Sequence, residues 1–254
     1  MIRWLRDAQD PLPPARRALA ADSEAPGLVA AGGELTSARL AEAYAKGIFP
    51  WYSEGQPILW WSPEPRMVLL PSEFELTRSL RKTIRRFARR SDCALRIDHD
   101  CRAVITACAT TPRQGESGTW IVGEMIEAYA AWHDAGHVHS FETWIDGELA
   151  GGLYGVCVGR MFFGESMFTR RTDASKIALT ALVGFCLDRG IETIDCQQRT
   201  SHLASLGGRE LRRAEFLRRV DKGIAGPAIA DWTYDLRIWR RLGIDPAVDE
   251  DRHP

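Results

Sequence analysis

The chain has 254 residues, with 33 Lys and Arg against 34 Asp and Glu, and 45% of its residues are hydrophobic. This composition supports a folded core and excludes disorder over the whole length. The sequence contains no run of 18 apolar residues and no apolar signal segment near its start, so neither a membrane span nor export is expected. Six cysteines without a CxxC pair are typical of reduced cytoplasmic thiols.

The first part of the chain mixes weak and strong signals. Residues 1–30 lack periodicity, which predicts a loosely held end, as does the polar tail after Gly243. Thr36 or Ser37 begins a short predicted helix, and Gly47 ends it. Three tryptophans then lie among Pro and Gly residues, a pattern that predicts an irregular seam or ligand wall rather than a strand or helix: Trp51, Trp60 and Trp61.

A strongly basic helix is predicted over residues 76–90. Its apolar stripe contains Leu76, Leu80, Ile84 and Phe87. The remaining positions hold seven cations, and no carboxylate occurs between 78 and 90: Arg78, Arg81, Lys82, Arg85, Arg86, Arg89 and Arg90. A solvated helix normally carries both signs of charge, so this face favours a polyanionic partner despite the net charge of −1.

The second half of the chain predicts an α+β fold. Its elements follow in the order helix, strand, strand, strand, helix, strand, and Asp146-Gly147 predicts a hairpin turn between the first two strands. Helices packed on a mostly antiparallel sheet fit this order. The predicted elements span 122–137, 140–145, 149–158, 160–168, 174–188 and 191–197.

Asp195, Cys196 and Gln197 are adjacent polar candidates at the end of the last strand. Side chains alternate across a strand, so Asp195 and Gln197 share one face and Cys196 points to the other. This geometry argues against Cys196 as a nucleophile oriented by Asp195. Two adjacent inward polar groups are costly unless they are paired, which favours a functional role for Asp195 and Gln197 over a structural one.

Glu165 is a single carboxylate in the apolar segment FFGESMF at 162–168. Two interpretations fit this segment: a core strand in which Glu165 pairs with an arginine such as Arg170, or an apolar pocket with an anionic rim. The segment alone does not decide between them.

The motifs expected for metal and nucleotide cofactors are missing. His133, His137 and His139 lack the HExxH context of a zinc site, so we interpret them as surface or helix-cap residues. No GxxxxGK[ST] motif occurs, and no GxGxxG motif follows a strand. We therefore expect neither a metal nor a cofactor.

Eight motifs occur in a fixed order along the chain. They are LVAAGGEL (28–35), GIFPW (47–51), ILWWSPEP (58–65), GTWI (118–121), GESMF (164–168), ASK (174–176), IDCQ (194–197) and HLASLG (202–207). Together they closely resemble the leucyl/phenylalanyl-tRNA–protein transferases, and the likeness runs from about residue 26 to about residue 220.

The resemblance implies a fold and a reaction. A small N-terminal domain, here 1–65, would precede a GNAT-like acyltransferase domain over 66–254. The enzyme would move Leu or Phe, and less well Met, from aminoacyl-tRNA to the α-amine of proteins that begin with Arg or Lys. The product would be an N-degron for the bacterial adaptor and Clp protease in the cytoplasm. An aminoacyl ester is already activated, so this reaction needs neither ATP nor a metal.

The resemblance also implies roles for individual residues. Asp195 and Gln197 match positions assigned to proton transfer from the attacking amine, and a purely positional role for both fits the sequence equally well. Glu165 would lie at the rim beside the ester or the amine. The aminoacyl side chain would be bound by Phe162, Met167, Ile194, Leu182 and Cys186. Trp51 and Trp120 would contact the terminal adenosine, where stacking contributes about 1 to 3 kcal/mol per base. The basic helix would bind phosphates of the acceptor stem.

Two alternative functions share part of this pattern. A non-enzymatic tRNA-binding protein would need the basic helix but not a pocket with Glu165, Asp195 and Gln197. An aminoacyltransferase that modifies a cell-wall precursor would also use aminoacyl-tRNA, but such chains carry duplicated acyltransferase domains and are longer.

Overall fold

Two β-sheets organise the chain in the computed structural model, which describes residues 2–111, 121–235 and 237–245. The smaller sheet and its helix comprise β1 (Arg3–Leu5), β2 (Leu28–Gly32), α1 (Ser37–Ala45), β3 (Phe49–Pro50) and β4 (Leu59–Trp61). Its strand order is β1-β2-β4-β3, in which β1 runs parallel to β2 and the other pairs are antiparallel.

The larger sheet takes its strands from residues 66–211. The elements are β5 (Arg66–Leu69), α2 (Arg78–Arg89), β6 (Cys93–Ile97), α3 (Cys101–Thr110), α4 (Gly123–Asp134), β7 (Val138–Ile145), β8 (Glu148–Val158), β9 (Met161–Thr169), α5 (Ala174–Arg189), β10 (Thr193–Gln197), α6 (Ser201–Ala204), β11 (Arg209–Leu211), α7 (Arg213–Ile224) and α8 (Arg237–Arg240). The strand order is β11-β5-β10-β9-β8-β7-β6. All neighbouring pairs are antiparallel except β9 and β10, which are parallel.

The predicted α+β arrangement is confirmed, with small shifts at element ends. The hairpin turn at Asp146 and Gly147 joins β7 to β8, and both residues have positive φ angles of 55° and 76°. Helix α2 begins at Arg78, because the Thr77 hydroxyl accepts from the Leu80 amide as an N-cap. Helix α1 is likewise capped by Thr36. None of the described helices combines the length and apolar character needed to span a membrane.

Apolar layers cover both faces of the larger sheet. One contains α1, α3, α4 and α7 with much of the smaller sheet, and the other contains α2, α5 and α8. Leu80, Ile84 and Phe87 of α2 are buried in the second layer, as their spacing predicts. The opposite face of α2 is therefore turned to the surface.

The expectation of a loosely held N-terminus is wrong. Strand β1 pairs with β2, and Leu5 and Leu12 are buried. The Arg39 guanidinium, only 3% exposed, donates hydrogen bonds to the backbone oxygens of Asp7 and Asp10. These hydrogen bonds come from a side chain about thirty residues away in sequence, so local periodicity does not reveal them. Of the tail after Gly243, Ile244 is buried, and residues 246–254 lie outside the described residues.

The irregular structure expected around the tryptophans is also corrected. Trp60 and Trp61 belong to β4, which pairs with β2 and β3. Pro50 is tolerated because β3 is an edge strand, where a missing N–H costs no ladder bond. Trp60 is fully buried, and its Nε1 donates to the Gly32 carbonyl at 3.0 Å. The prolines and glycines limit the length of these strands rather than abolish them.

Replacing Arg39 with Met should lower the free energy of unfolding by about 2 to 4 kcal/mol, because the carbonyls of Asp7 and Asp10 lose a buried charged donor. Urea denaturation measures this change. Arg16→Met, at an exposed arginine, is the matched control and should change stability by less than about 0.5 kcal/mol. Equal stability of the two variants would contradict the anchoring role of Arg39.

Candidate active site

The parallel pair β9 and β10 brings the three candidate catalytic residues together. Asp195 is opposite Phe163 in this pairing, so Gln197 at the end of β10 lies beside Glu165 of β9. Both strands depart from regular register here, β9 against β8 and β10 against β5. Irregularities of this kind re-aim side chains and are frequent beside active sites.

Asp195 is held in a buried salt bridge. Its Oδ1 and Oδ2 accept from Nε and Nη2 of Arg66 at 2.8 and 2.6 Å, and both side chains are 1% exposed. The guanidinium carbon of Arg66 lies 4.7 and 4.5 Å from the ring centres of Phe49 and Phe216. Asp195 Oδ1 also accepts from the Gln197 amide at 2.9 Å. The carboxylate is therefore directed at Arg66 and the backbone of Gln197.

Glu165 is the centre of a second buried network. Its Oε1 accepts from the Tyr44 hydroxyl at 2.6 Å and from Nε2 of Gln197 at 3.1 Å, and its Oε2 accepts from the Tyr129 hydroxyl at 3.1 Å. Burial raises the pKa of Glu165 to about 7, although the two tyrosine hydrogen bonds act in the opposite direction. A carboxyl group with this pKa can both accept and return a proton near neutral pH.

The alternative in which Glu165 pairs with Arg170 is wrong. Arg170 instead donates to the Leu149 carbonyl and lies over the Phe168 ring at 5.3 Å. Because no arginine in the described part of the chain pairs with it directly, Glu165 depends there on hydroxyl and amide donors.

Gln197 links the two networks. Its amide donates to Asp195, and its side chain, on a half-buried residue, donates to Glu165. Its φ of 61° is in the left-handed region, which is unusual for a side chain of this size. Backbone strain of this kind persists where the surroundings fix it, and here Asp195 fixes it.

Cys196 faces away from this site, as strand alternation predicts. It packs in the layer that contains α5, and burial raises the pKa of its thiol. A neutral, buried thiol is a poor nucleophile.

The predicted side-chain pocket residues lie together on the α5 side of the sheet. Phe162, Leu182, Cys186 and Ile194 are each no more than 1% exposed. Met167 packs at the edge of the same layer and is half-buried. The structure thus groups all five side chains, with Met167 nearest to solvent.

Of the two tryptophans predicted to contact adenosine, the structure describes Trp51 but not Trp120. Trp51 is 36% exposed, and its ring centre lies 5.8 Å from that of Trp61. Nε1 of Trp61 donates to the Trp51 carbonyl at 2.7 Å, which fixes this turn. Trp120 lies outside the described residues.

Most of the basic face of α2 is at the surface, while Arg81 and Arg90 bond to neighbouring segments. Arg78, Lys82, Arg86 and Arg89 are exposed, and Arg85 is half-buried. Nη1 of Arg81 donates to the carbonyls of Leu242 and Gly243, and Arg90 forms two hydrogen bonds with Asp92. Arg81 therefore ties the C-terminal segment to α2, a role that charge patterning did not reveal.

The expectation that the three histidines are surface or helix-cap residues is wrong for His139, which is buried. Its Nδ1 bonds to Asp98 at 2.6 Å, and its ring stacks on Trp232 with centres 3.4 Å apart. Asp98, Cys101 and His133 place possible metal ligands within 4.8 Å of one another. However, Nδ1 of His133 bonds to a backbone carbonyl, and burial raises the pKa of the Cys101 thiol. The potential ligand atoms of Asp98 and His133 are therefore already engaged in hydrogen bonds within the protein.

Three residues of the site were missed by sequence reasoning: Arg66, Tyr44 and Tyr129. Asp195 is 129 positions from Arg66, and Glu165 is 121 from Tyr44. Arg66 directly follows the ILWWSPEP motif, which is the one local signal that could have drawn attention to it.

Comparisons with known proteins give a consistent result. The profile of the family described as leucyl/phenylalanyl-tRNA protein transferase matches residues 68–221, and the profile of its N-terminal domain matches 33–64. Proteins named leucyl/phenylalanyl-tRNA–protein transferase are similar over nearly the full length. The one from Methylibium petroleiphilum is 61% identical, covering 98% of this chain and 94% of the relative. Those from Leptothrix cholodnii and Cupriavidus taiwanensis are 59% and 57% identical, covering 96% and 98% of this chain and 96% and 99% of the relatives.

The raised pKa of Glu165 predicts a pH-dependent stability. The protonated form is favoured in the folded state, so this stabilisation is present below about pH 4.5 and is lost as the pH rises through about 7. Glu165→Gln removes the effect. Between pH 5 and pH 8 the wild type should lose about 2 to 3 kcal/mol of unfolding free energy relative to Glu165→Gln, as measured in urea.

Glu24→Gln, at an exposed carboxyl, is the control and should follow the wild type at both pH values. If the unfolding free energies of the wild type and Glu165→Gln change equally between pH 5 and pH 8, the pKa of Glu165 is not raised.

Proposed function

The chain belongs to the leucyl/phenylalanyl-tRNA–protein transferase family, and we propose that it transfers Leu, Phe and less readily Met to proteins that begin with Arg or Lys. It is an aminoacyltransferase whose substrates are an aminoacyl-tRNA and a protein. The products would be N-degrons delivered to the Clp adaptor and protease in the cytoplasm. The observation that carries the mechanism is the linked cluster of Glu165, Gln197 and Asp195.

The two rival functions are set aside. Relatives of matching length carry the transferase name, which neither a non-enzymatic tRNA-binding protein nor a longer cell-wall enzyme would explain.

The proposal includes a GNAT-like architecture for residues 66–254 and a small N-terminal domain over residues 1–65. Two features support it. The chain leaves the smaller sheet after Trp61 and enters the larger one at Arg66. Within the larger sheet, the parallel strands β9 and β10 are connected through α5 and carry the cluster, with Glu165 in the middle of β9 and Gln197 at the carboxyl end of β10.

The reaction needs a group that takes one proton from the amine and gives one to the tRNA. The acceptor nitrogen forms a bond to the ester carbonyl carbon, and the bond from that carbon to the ribose oxygen breaks. The amine loses a proton, and the ribose oxygen gains one. Glu165 suits both steps, because its pKa of about 7 lies close to that of an α-amine, which is about 8.

Asp195 is a positioning residue in this mechanism. Both of its oxygens accept from Arg66, and its side chain is 1% exposed. It fixes the backbone of Gln197, whose half-buried side chain would hold the incoming amine next to Glu165. This arrangement supplies the orientation that a reaction between two bound substrates requires.

Substrate tRNA would be bound by phosphate contacts and by stacking. The exposed cations of α2 would contact the acceptor stem, and Trp51 would stack on the terminal base. Backbone recognition is sufficient, because tRNAs of different sequence must be accepted.

The acceptor preference is tested by transfer of labelled Leu from charged tRNA to a peptide that begins with Arg. A peptide that begins with Ser but is otherwise identical is the control. We expect labelling of the first peptide at least about tenfold faster, a difference of about 1.4 kcal/mol in transition-state binding. Equal labelling of both peptides would reject the acceptor assignment.

The role of α2 is tested by the double variant Arg78→Glu, Arg86→Glu, because both residues are exposed. We expect tRNA affinity to fall at least about tenfold and the salt dependence of binding to weaken by about 1 to 2 in logarithmic slope. Filter binding over a salt series measures both.

Arg16→Glu with Arg17→Glu makes the same change of charge at two exposed arginines elsewhere and should leave binding nearly unchanged. If both pairs weaken binding equally, the effect is one of net charge and not of α2.

A further inference from the structure

A cavity of about 560 Å³ lies at the opposite ends of the two catalytic strands. Met161 and Thr193, the first residues of β9 and β10, are both buried and contribute to its lining. Helix α7 forms another wall, and Gly190 follows the end of α5 beside it. A volume of this size is within the range of small-molecule sites.

The cavity carries an excess of positive charge. Its lining contains four cations against two carboxylates, a surplus of two: Arg160, Arg218, Arg219 and Lys222 against Glu192 and Glu215. Lys222 is paired with Glu192 at 2.5 Å, and these two side chains are 69% and 63% exposed, so they lie at the rim. The surplus therefore belongs to the three arginines.

Among the described residues, none of these arginines forms a direct hydrogen bond to a carboxylate, and only Arg219 has one within salt-bridge range. Nη2 of Arg219 is 3.7 Å from Glu215, too long for a hydrogen bond. Arg218 donates to the Ala214 carbonyl, and Arg160 donates to the Arg189 carbonyl. Both carbonyls are neutral acceptors, so neither arginine is neutralised by its partner.

Arg219 carries the most specific signal. Its Nε is buried and has no hydrogen-bond partner among the described residues, and its Nη1 reaches only Thr193 Oγ1 at 3.5 Å. An unsatisfied buried donor requires an explanation, and a bound anion is one. The planar guanidinium fork matches the oxygens of a phosphate in a two-pronged hydrogen bond.

We propose that this cavity binds a phosphate monoester of about nucleotide size, with Arg219 and Arg160 on the phosphate and Arg218 at the entrance. A phosphate monoester carries a charge of about −1.5 to −2 at pH 7, which matches the surplus of two. The volume exceeds that of a bare ion, so it leaves room for the group attached to the phosphate. The same chemistry could come from a free nucleotide or from the terminal phosphate of an RNA.

This site is separate from the proposed tRNA surface and from the catalytic cluster. None of the α2 cations contributes to its lining, and neither Glu165 nor Gln197 does. Its ligand would contact the same two strands that carry the catalytic cluster. Met161 and Thr193 in the cavity lining precede Glu165 and Gln197 by four positions each.

Isothermal titration of the full chain with AMP tests the proposal, with adenosine as the ligand that lacks a phosphate. We expect AMP to bind and adenosine not to bind. Arg219→Gln should weaken AMP binding at least tenfold. Arg218→Gln, at an exposed position where we expect folding to be unchanged, should weaken it severalfold. Arg212→Gln is the matched control, because this exposed arginine of the same segment is not part of the cavity lining.

The two sources of phosphate are separated by a 5′-phosphorylated RNA dinucleotide and its dephosphorylated form. Tighter binding of the phosphorylated dinucleotide than of AMP identifies an RNA end, and the reverse identifies a free nucleotide. The double variant Arg78→Glu, Arg86→Glu should keep full AMP affinity. AMP binding by the cavity and tRNA binding by α2 can therefore be tested independently of each other. No AMP binding by the wild type, or equal affinity in Arg219→Gln and Arg212→Gln, would overturn the proposal.

Discussion

The buried salt bridge between Arg66 and Asp195 is the interaction on which the site depends. It joins β5 to β10, the second and third strands of the larger sheet, and the rings of Phe49 and Phe216 lie against the guanidinium. Removing one partner of such a pair typically costs about 3 to 5 kcal/mol, because the other charge remains buried. The fixed carboxylate in turn sets the unusual backbone of Gln197, so the fold and the orientation of the reacting groups share one constraint.

Two buried carboxyl groups on the neighbouring strands β9 and β10 thus have different environments, which is why we propose different tasks for them. Asp195 has a direct cationic partner, whereas the donors to Glu165 among the described residues are hydroxyl and amide groups. Burial without a cation raises the pKa of Glu165 to about 7, where proton exchange with an amine is possible. The proposed division of roles rests on the position of a single arginine, Arg66.

Local patterns predicted much of this structure, and long-range contacts account for what they missed. Spacing located α2 and the hairpin at Asp146, and strand alternation placed Asp195 and Gln197 on one face. The partners Arg66 and Tyr44 come from more than 120 positions away, so no local signal pairs them with their carboxylates. The anchored N-terminus was missed for the same reason.

The most direct test of the account is the pH dependence of kcat/KM for transfer to a peptide that begins with Arg, between about pH 5.5 and pH 7. In this account Glu165 and the acceptor amine must both lose a proton before transfer. The logarithm of kcat/KM should therefore rise with pH with a slope of about 2 in the wild type and in Asp195→Asn. In Glu165→Gln the slope should be about 1, because only the amine still titrates. A slope of about 1 in Asp195→Asn together with about 2 in Glu165→Gln would make Asp195 the proton acceptor and contradict the account.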